Sequence, residues 1–311
     1  MYKAVLFIAL IFSFSSHAAN THIKVGIDLW PGYYPIVLAK KLGYFEKRSL
    51  NVDFVLPEAT DNMLGKFTSG ELDLVCVAMG DAFSLYQQDP GLRVVMITDE
   101  SAGGDALLSN HSSQNYNGKI IGTNLKGFGE LFINSFMLKH GLKADSVSVV
   151  QLDAAEAVHA LQSGQVDIAH TWEPYVTEIE SFNLGKVIFD SSETPGLIPD
   201  ALLANGQFIR NNPKALKKFV DAWLEASEWW QANLKKGNRI IESEMVMMPN
   251  SVNLEGIRLY NRKDNLLAFQ QGSNMKSLYF VTQKYIDYFI SKGVIHKNFD
   301  PADILDPSYI H

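Results

Sequence analysis

Two stretches of this chain, Ser69-Gly70-Glu71-Leu72-Asp73-Leu74-Val75 and Ser163-Gly164-Gln165-Val166-Asp167-Ile168-Ala169, spell nearly the same helix stop followed by the same strand start. Each is preceded by a similar unit, Lys24 to Val55 in one case and Lys119 to Val150 in the other. Both units read as strand, glycine-containing loop, helix ending at a glycine (Gly43, Gly141) and second strand. A chain that builds one α/β half twice is constrained to two like lobes, and the crevice between them is the natural place for a ligand.

Strand patterns fall at Ile23 to Leu29, Val52 to Leu56, Leu72 to Met79, Arg93 to Thr98, Ala106 to Ser109, Lys119 to Thr123, Ser146 to Leu152, Val166 to His170 and Val187 to Phe189. Helical patterns lie between them, and that alternation predicts mostly parallel sheets with helices on both faces. Asp153 with Glu156 three residues on is a capping box, Gly164 closes that helix, and Pro213 after Asn212 opens another. Leu216, Phe219, Val220, Trp223, Leu224 and Trp230 recur at helical spacing, which predicts a packing face. From about Asn211 the pattern becomes helical and is expected to return to the first lobe. The expected division is a leader over 1–19, one lobe from 20–102 with 203–311, and a second from 103–202. The crossings then lie near Asp99 to Gly104 and Pro195 to Leu203, and two such crossings make a hinge.

Met1 to Ala19 has one cation, Lys3, an apolar run from Ala4 to Phe14, and small residues at its end. It reads as a cleaved secretory signal, so the mature chain is expected outside the cytoplasm. The 311 residues contain a single cysteine, Cys76, inside an apolar run, so no intrachain disulfide forms and the thiol reads as a small core residue. A net charge of −7 argues against a nucleic-acid surface. The eight histidines lack zinc spacing, and neither the Gly-x-Ser-x-Gly nor the P-loop pattern occurs, so catalysis, metal and cofactor are not indicated.

Ligands of open α/β sheets bind beyond the carboxyl ends of the strands. Four loops qualify. Asp28 to Tyr34 offers Trp30 and Tyr33; Met79 to Ala82 offers Asp81, which can equally cap a helix; Leu125 to Glu130 offers Gly127 and Glu130 at a helix start; Thr171 to Tyr175 offers Trp172, Glu173 and Tyr175. Asp105 in the glycine-rich hinge and Asp190 in the return segment complete the candidate set, with capping or surface pairing as the alternative for each acid.

The segments Val25 to Tyr33, Gly43-Tyr44-Phe45, Gly70 to Asp73, Gly103 to Ala106, Gly164 to Asp167, Trp172 to Tyr175 and Phe189 to Ser192 resemble, in order, the periplasmic substrate-binding proteins of nitrate-, sulfonate- and taurine-type ABC transporters. The resemblance implies a class II periplasmic-binding-protein fold, two similar α/β lobes that close around a small solute. It also implies a permease and ATPase as partners, and a monomer is expected. The same family includes binders of thiamine-pyrimidine precursors and an enzyme branch with a cysteine-rich segment, which Cys76 alone does not supply. None of the four loops carries arginine, whereas acids and aromatics dominate them, and that chemistry suits a nitrogen-bearing organic ligand rather than nitrate; the backbone donors near Gly127 and Gly129 can still bind an anion, so taurine, with an amine and a sulfonate, stays open. A precursor synthase, with His170 as the side chain to watch, and a sensor for a membrane partner are the alternatives to a transport receptor.

Overall fold

Asp73 and Asp167 do the same work in the two halves of the molecule. The Asp73 N–H donates to Lys24 O at 2.9 Å and its Oδ2 accepts from Lys24 N–H at 2.9 Å. The Asp167 N–H donates to Ile120 O at 2.9 Å and its Oδ2 accepts from Ile120 N–H at 2.9 Å. Each aspartate therefore clamps the strand it leads into to the first strand of its half. The glycines before them, Gly70 (φ 78°) and Gly164 (φ 75°), take the left-handed conformation that ends a helix and that other residues adopt at a cost. The repeat is thus a helix stop and a strand clamp, made twice.

The computed structural model describes residues 20–56, 60–111, 115–125 and 127–311, and the expected leader over 1–19 lies outside them. Eleven strands are present among these residues: β1 (Thr21–Gly26), β2 (Leu50–Val55), β3 (Leu74–Ala78), β4 (Arg93–Ser101), β5 (Asp105–Ser109), β6 (Lys119–Thr123), β7 (Val147–Gln151), β8 (Ile168–Trp172), β9 (Lys186–Asp190), β10 (Pro199–Ala204) and β11 (Ile257–Leu259). They form one sheet of order β11-β4-β10-β3-β1-β2 and a second of order β7-β6-β8-β5-β9. In each half the first strand lies between the two that follow it, β1 beside β2 and β3, β6 beside β7 and β8, all parallel.

The expectation of mostly parallel sheets does not hold. β10 runs antiparallel to β3 and β4, β11 to β4, and β5 to β8 and β9. The reason is connectivity, because the segments that carry the chain between lobes enter each sheet as strands running against the βαβ units. Two strands were also not foreseen. β10 begins at Pro199, inside the stretch read as a crossing, and β11 lies in the helical C-terminal part. The chain passes between the sheets twice, from β4 to β5 and from β9 to β10. This is the class II periplasmic-binding-protein fold, two α/β lobes with a hinge and a cleft between them.

The helical expectations hold where the signals were strong. The Asp153/Glu156 capping box is formed and Gly164 caps the end of Ala154–Ser163. Pro213 occupies the first turn of Pro213–Ala232, whose stripe Leu216, Phe219, Val220, Trp223, Leu224 and Trp230 is at most 1 % exposed. Each such side chain contributes about 1.5–3 kcal/mol by leaving water. Phe219 stacks on Phe45 at 5.1 Å between centroids, and Arg48 reaches Glu225 at 2.7 Å, so this helix packs on the element between β1 and β2. Among the described residues no helix is long and apolar enough to cross a membrane.

Candidate functional site

The two sheets meet across a cavity at the carboxyl ends of β1, β3, β6 and β8. The first lobe supplies Asp28, Trp30, Tyr33, Met63, Cys76, Val77, Ala78, Asp81, Ile198 and Asp200; the second supplies Asp105, Asn124, Phe128 and Trp172. The space open to the centre of a water-sized sphere is about 40 Å3, where about 10–15 Å3 holds one water. The lobes touch over it. A Cβ on Gly80 would lie 2.5 Å from the Phe128 nitrogen, and one on Gly127 would lie 2.1 Å from Asp81 Oδ1. Glycine at both positions is what lets one jaw reach the other.

The turn after β1 is built onto the floor of this cavity. Trp30 Nε1–H donates to Asp99 Oδ1 at 2.8 Å and the Tyr33 hydroxyl donates to Asp200 Oδ1. Thr98 Oγ1–H donates to Asp99 Oδ2 at 2.8 Å. Gly32 sits so close that a Cβ there would be 2.0 Å from Asp99 Oδ2, and a Cβ on Gly104 would be 2.7 Å from Trp30 Cη2. Trp30 and Tyr33, expected from the sequence as ligand contacts, thus spend their polar atoms on buried acids. What they present to the cavity is aromatic surface.

Asp99 and Asp200 are register partners on β4 and β10 and are 0 % and 4 % exposed. Burial raises the Asp99 carboxyl to about 7, with the Trp30 and Thr98 hydrogen bonds opposing and the Asp105 and Glu100 carboxylates adding to the rise. Burial, then the neighbouring Asp99, pushes Asp200 well above the ordinary carboxylate range against the Tyr33 hydrogen bond. Burial also pushes up the Tyr33 phenol and the Cys76 thiol. Cys76, fully buried as expected, nonetheless forms part of the cavity wall.

Asp105 and Asp81 line the cavity, as their positions in the sequence suggested they could. Asp81 stands at the start of Ala82–Gln88 but makes no capping hydrogen bond with its side chain. Trp172 lines the cavity and is 8 % exposed. Behind it His170 is buried, with Nδ1 2.7 Å from Thr123 Oγ1 and Nε2 3.8 Å from Asp105 Oδ1.

The other candidates are placed differently. Glu173 accepts from Thr177 N–H and Thr177 Oγ1–H at 3.2 and 2.9 Å, so it caps the helix Tyr175–Ser181 rather than lining the cavity. Tyr175 is half-buried outside the wall, its phenol raised by burial and then by Asp28. Asp190 accepts from Ser192 N–H at 2.8 Å and caps the turn Ser191–Glu193. Glu130 faces a separate groove with Met137 and Tyr288. Gly127 is the residue before Phe128–Lys139 and touches Asp81. Asp99, Asp200, Asn124 and Phe128 were not among the expected site residues; Asn124 immediately precedes the Leu125 to Glu130 loop and Phe128 lies within it, and that was the signal available for them.

Comparison with known proteins agrees with this architecture. A putative binding protein of Brucella abortus (strain 2308) is 25 % identical over 224 residues, 70 % of this chain and 69 % of that one. A 4-amino-5-hydroxymethyl-2-methylpyrimidine phosphate synthase of Saccharomyces cerevisiae is 24 % identical over 218 residues, 64 % of this chain and 63 % of that one. The solved structure of the alkanesulfonate-binding protein SsuA from Xanthomonas axonopodis pv. citri, bound to MOPS, superposes with a TM-score of 0.76 at 14 % identity, over 94 % of this chain and 100 % of that one. The model of the NMT1/THI5-like family matches residues 30–235, which run from the first cavity tryptophan through the whole second lobe and into the helix packed on β1 and β2. With that match spanning both walls of the cleft, the chain belongs to the NMT1/THI5-like family.

Proposed function

We propose that this protein is an extracytoplasmic receptor that captures a small nitrogen-bearing organic cation in its cleft and delivers it to an ABC permease, without chemistry of its own. The observation that carries the reading is the cavity wall, where Asp28, Asp81, Asp105 and Asp200 face Trp30, Tyr33, Phe128 and Trp172. Among the described residues no Lys, Arg or His lines it. Aromatic faces beside carboxylates attract a cation, and a dry site of this sign repels an anion. No group of three or more His, Cys, Asp or Glu among the described residues is arranged to hold a metal ion, which favours an organic cation. Hinge closure is supported by the close glycine contacts between the jaws, with the second crossing taken ahead of β10, which pairs in the first sheet rather than in the expected lobe 103–202. The relatives named as binding proteins support the transport role, and the sealed position of His170, 1 % exposed, supports the absence of catalysis.

Native mass spectrometry of freshly purified protein should show a bound species that gains a proton readily. Calorimetry on stripped protein should then find binding of amines or guanidinium compounds. Tight nitrate or alkanesulfonate binding with no response to amines would sink this reading, and conversion of the bound species on incubation would replace receptor by enzyme.

A further inference from the structure

Resting on that reading of the cleft, we propose that ligand capture is an exchange of one cation for one proton. The Asp99 and Asp200 carboxyl pair on the cavity floor holds a proton while the cleft is empty and releases it to solvent as the organic cation takes its place.

Geometry makes the pair. Asp99 and Asp200 lie opposite each other on adjacent antiparallel strands, so their side chains leave the same face of the sheet. Asp200 reaches the cavity, whereas Asp99 lies beneath it under Trp30. The donors that serve them, the Trp30 indole, the Thr98 hydroxyl and the Tyr33 phenol, are all neutral. Two carboxylates this close in a dry site do not both ionise without a counter-charge.

Among the described residues, the groups facing the pair from each packed element supply none. Tyr33 faces it from the turn after β1, Cys76 from β3, and Tyr285 from the helix Leu278–Ser291; burial pushes all three upward, so they stay neutral where the carboxyls titrate. Asp81 and Asp105 add negative charge from the rim. Glu100 on β4 has its own cation, Arg258, at 3.1 Å. An independent sign that the cavity is waiting for donors is Asp105 itself. It is 3 % exposed and its carboxylate accepts no hydrogen bond among the described residues. His170 Nε2, 3.8 Å from its Oδ1, also lacks a hydrogen-bond partner. A cation carrying N–H groups would supply both the missing charge and the missing donors, and the floor pair then ionises. The proton leaves while the cleft is open.

Guanidinium is the probe, because it stays charged throughout the working range and any proton released must come from the protein. Titration calorimetry in two buffers of different ionisation enthalpy should find close to one proton released per guanidinium bound at pH 6, falling toward none at pH 8.5. Affinity should rise about tenfold per pH unit in the lower range and level off above it. Asp99→Asn, which takes one carboxyl out of the pair, should still bind guanidinium but release fewer protons at pH 6 than the unmodified protein, because Asp200 loses the neighbour that adds to the effect of its burial. An infrared spectrum of the unmodified empty protein should contain a protonated-carboxyl band at pH 6 that guanidinium removes; this holds independently of whether the variant folds. Binding with no proton released, or a band unmoved by guanidinium, overturns the exchange alone. No guanidinium binding at any pH overturns the cation reading, and the exchange with it.

Discussion

Ser101 Oγ and Ser191 Oγ lie 2.7 Å apart, one hydroxyl from each of the two segments that join the lobes. Ser191 Oγ also accepts from Gly103 N–H at 2.7 Å, and Ser101 Oγ accepts from Asp105 N–H at 3.0 Å. The crossings are therefore tied to each other where the chain passes between the lobes. Both hydroxyls are buried, so removing one leaves the other short of its partner.

Ser191→Ala should lower the stability of the empty protein by about 1–3 kcal/mol, the cost of leaving the buried Ser101 hydroxyl short of a partner. Urea denaturation would measure it. An unchanged midpoint would mean that the crossings relax independently and that this tie does not organise the hinge.

The close approach of Gly80 to the Phe128 backbone makes closure testable without knowing the ligand. A Cβ at residue 80 would lie 2.5 Å from one backbone atom of Phe128 and 2.6 Å from another, neither of which a side-chain rotation can remove. Gly80→Ala should fold, since each lobe is intact, but hold the jaws apart. Small-angle scattering should report a larger radius for the variant than for the unmodified protein. Affinity for whatever species native mass spectrometry identifies should fall at least about tenfold, the effect of about 1.4 kcal/mol. Equal radii and equal affinity would show that the jaws do not need this contact.

The second copy of the repeat also marks where the wall is most exposed to substitution. Trp172 leaves the end of β8 and presents its ring to the cavity beside Phe128, 6.0 Å between centroids. Trp172→Ala should weaken binding of an organic cation by about 0.5–2 kcal/mol, the range of a cation over an aromatic face. Calorimetry with wild type and variant would decide, and an equal loss for a neutral isostere of the same ligand would assign the effect to packing.

Legibility followed the physics of each element. Gly70 and Gly164 with Asp73 and Asp167 announced two halves because a left-handed helix stop and a backbone clamp need those residue types locally. The capping box at Asp153 and the stripe on Pro213–Ala232 were readable for the same reason. β10 was not, because Ala201-Leu202-Leu203-Ala204 lacks the β-branched and aromatic residues that favour strands, and pairing on both edges makes it one. Asp200 was hidden along with it. Trp30 and Tyr33 were identified as important from being aromatic in a turn, but their partners, Asp99 and Asp200, come from strands far along the chain. Glu173 and Asp190 looked the same in sequence as Asp105 and Asp81. Only the direction of each strand end separates the two that cap turns from the two that face the cavity.

The same floor acids give the empty protein a pH signature of definite sign. The Asp99 carboxyl is raised by burial to about 7 from an ordinary value of 3.8, so between those values the folded protein binds a proton that the unfolded chain does not. Stability rises with pH where the unfolded state holds more protons, and here the folded state does. The contribution of Asp99 is therefore fully present below about pH 4 and is lost as pH rises through about 7. Asp53, Asp167 and Asp221 work the other way. Hydrogen bonds from His22 and then Lys40 lower Asp53; for the other two, burial opposes the fall, but Lys119 and Ile120 N–H hold Asp167 down, and Lys217 and Arg262 hold Asp221 down. Their contributions are present at neutral pH and fade as pH falls through their depressed values. The total curve mixes both signs, so the informative quantity is the difference between the unmodified protein and Asp99→Asn. Urea midpoints from pH 4 to pH 8 should show the unmodified protein losing stability relative to the variant as pH rises, with the steepest divergence between about pH 5 and 7. Curves that stay parallel across that range would mean that Asp99 is already ionised in the empty protein and that any proton on the cavity floor rests on Asp200.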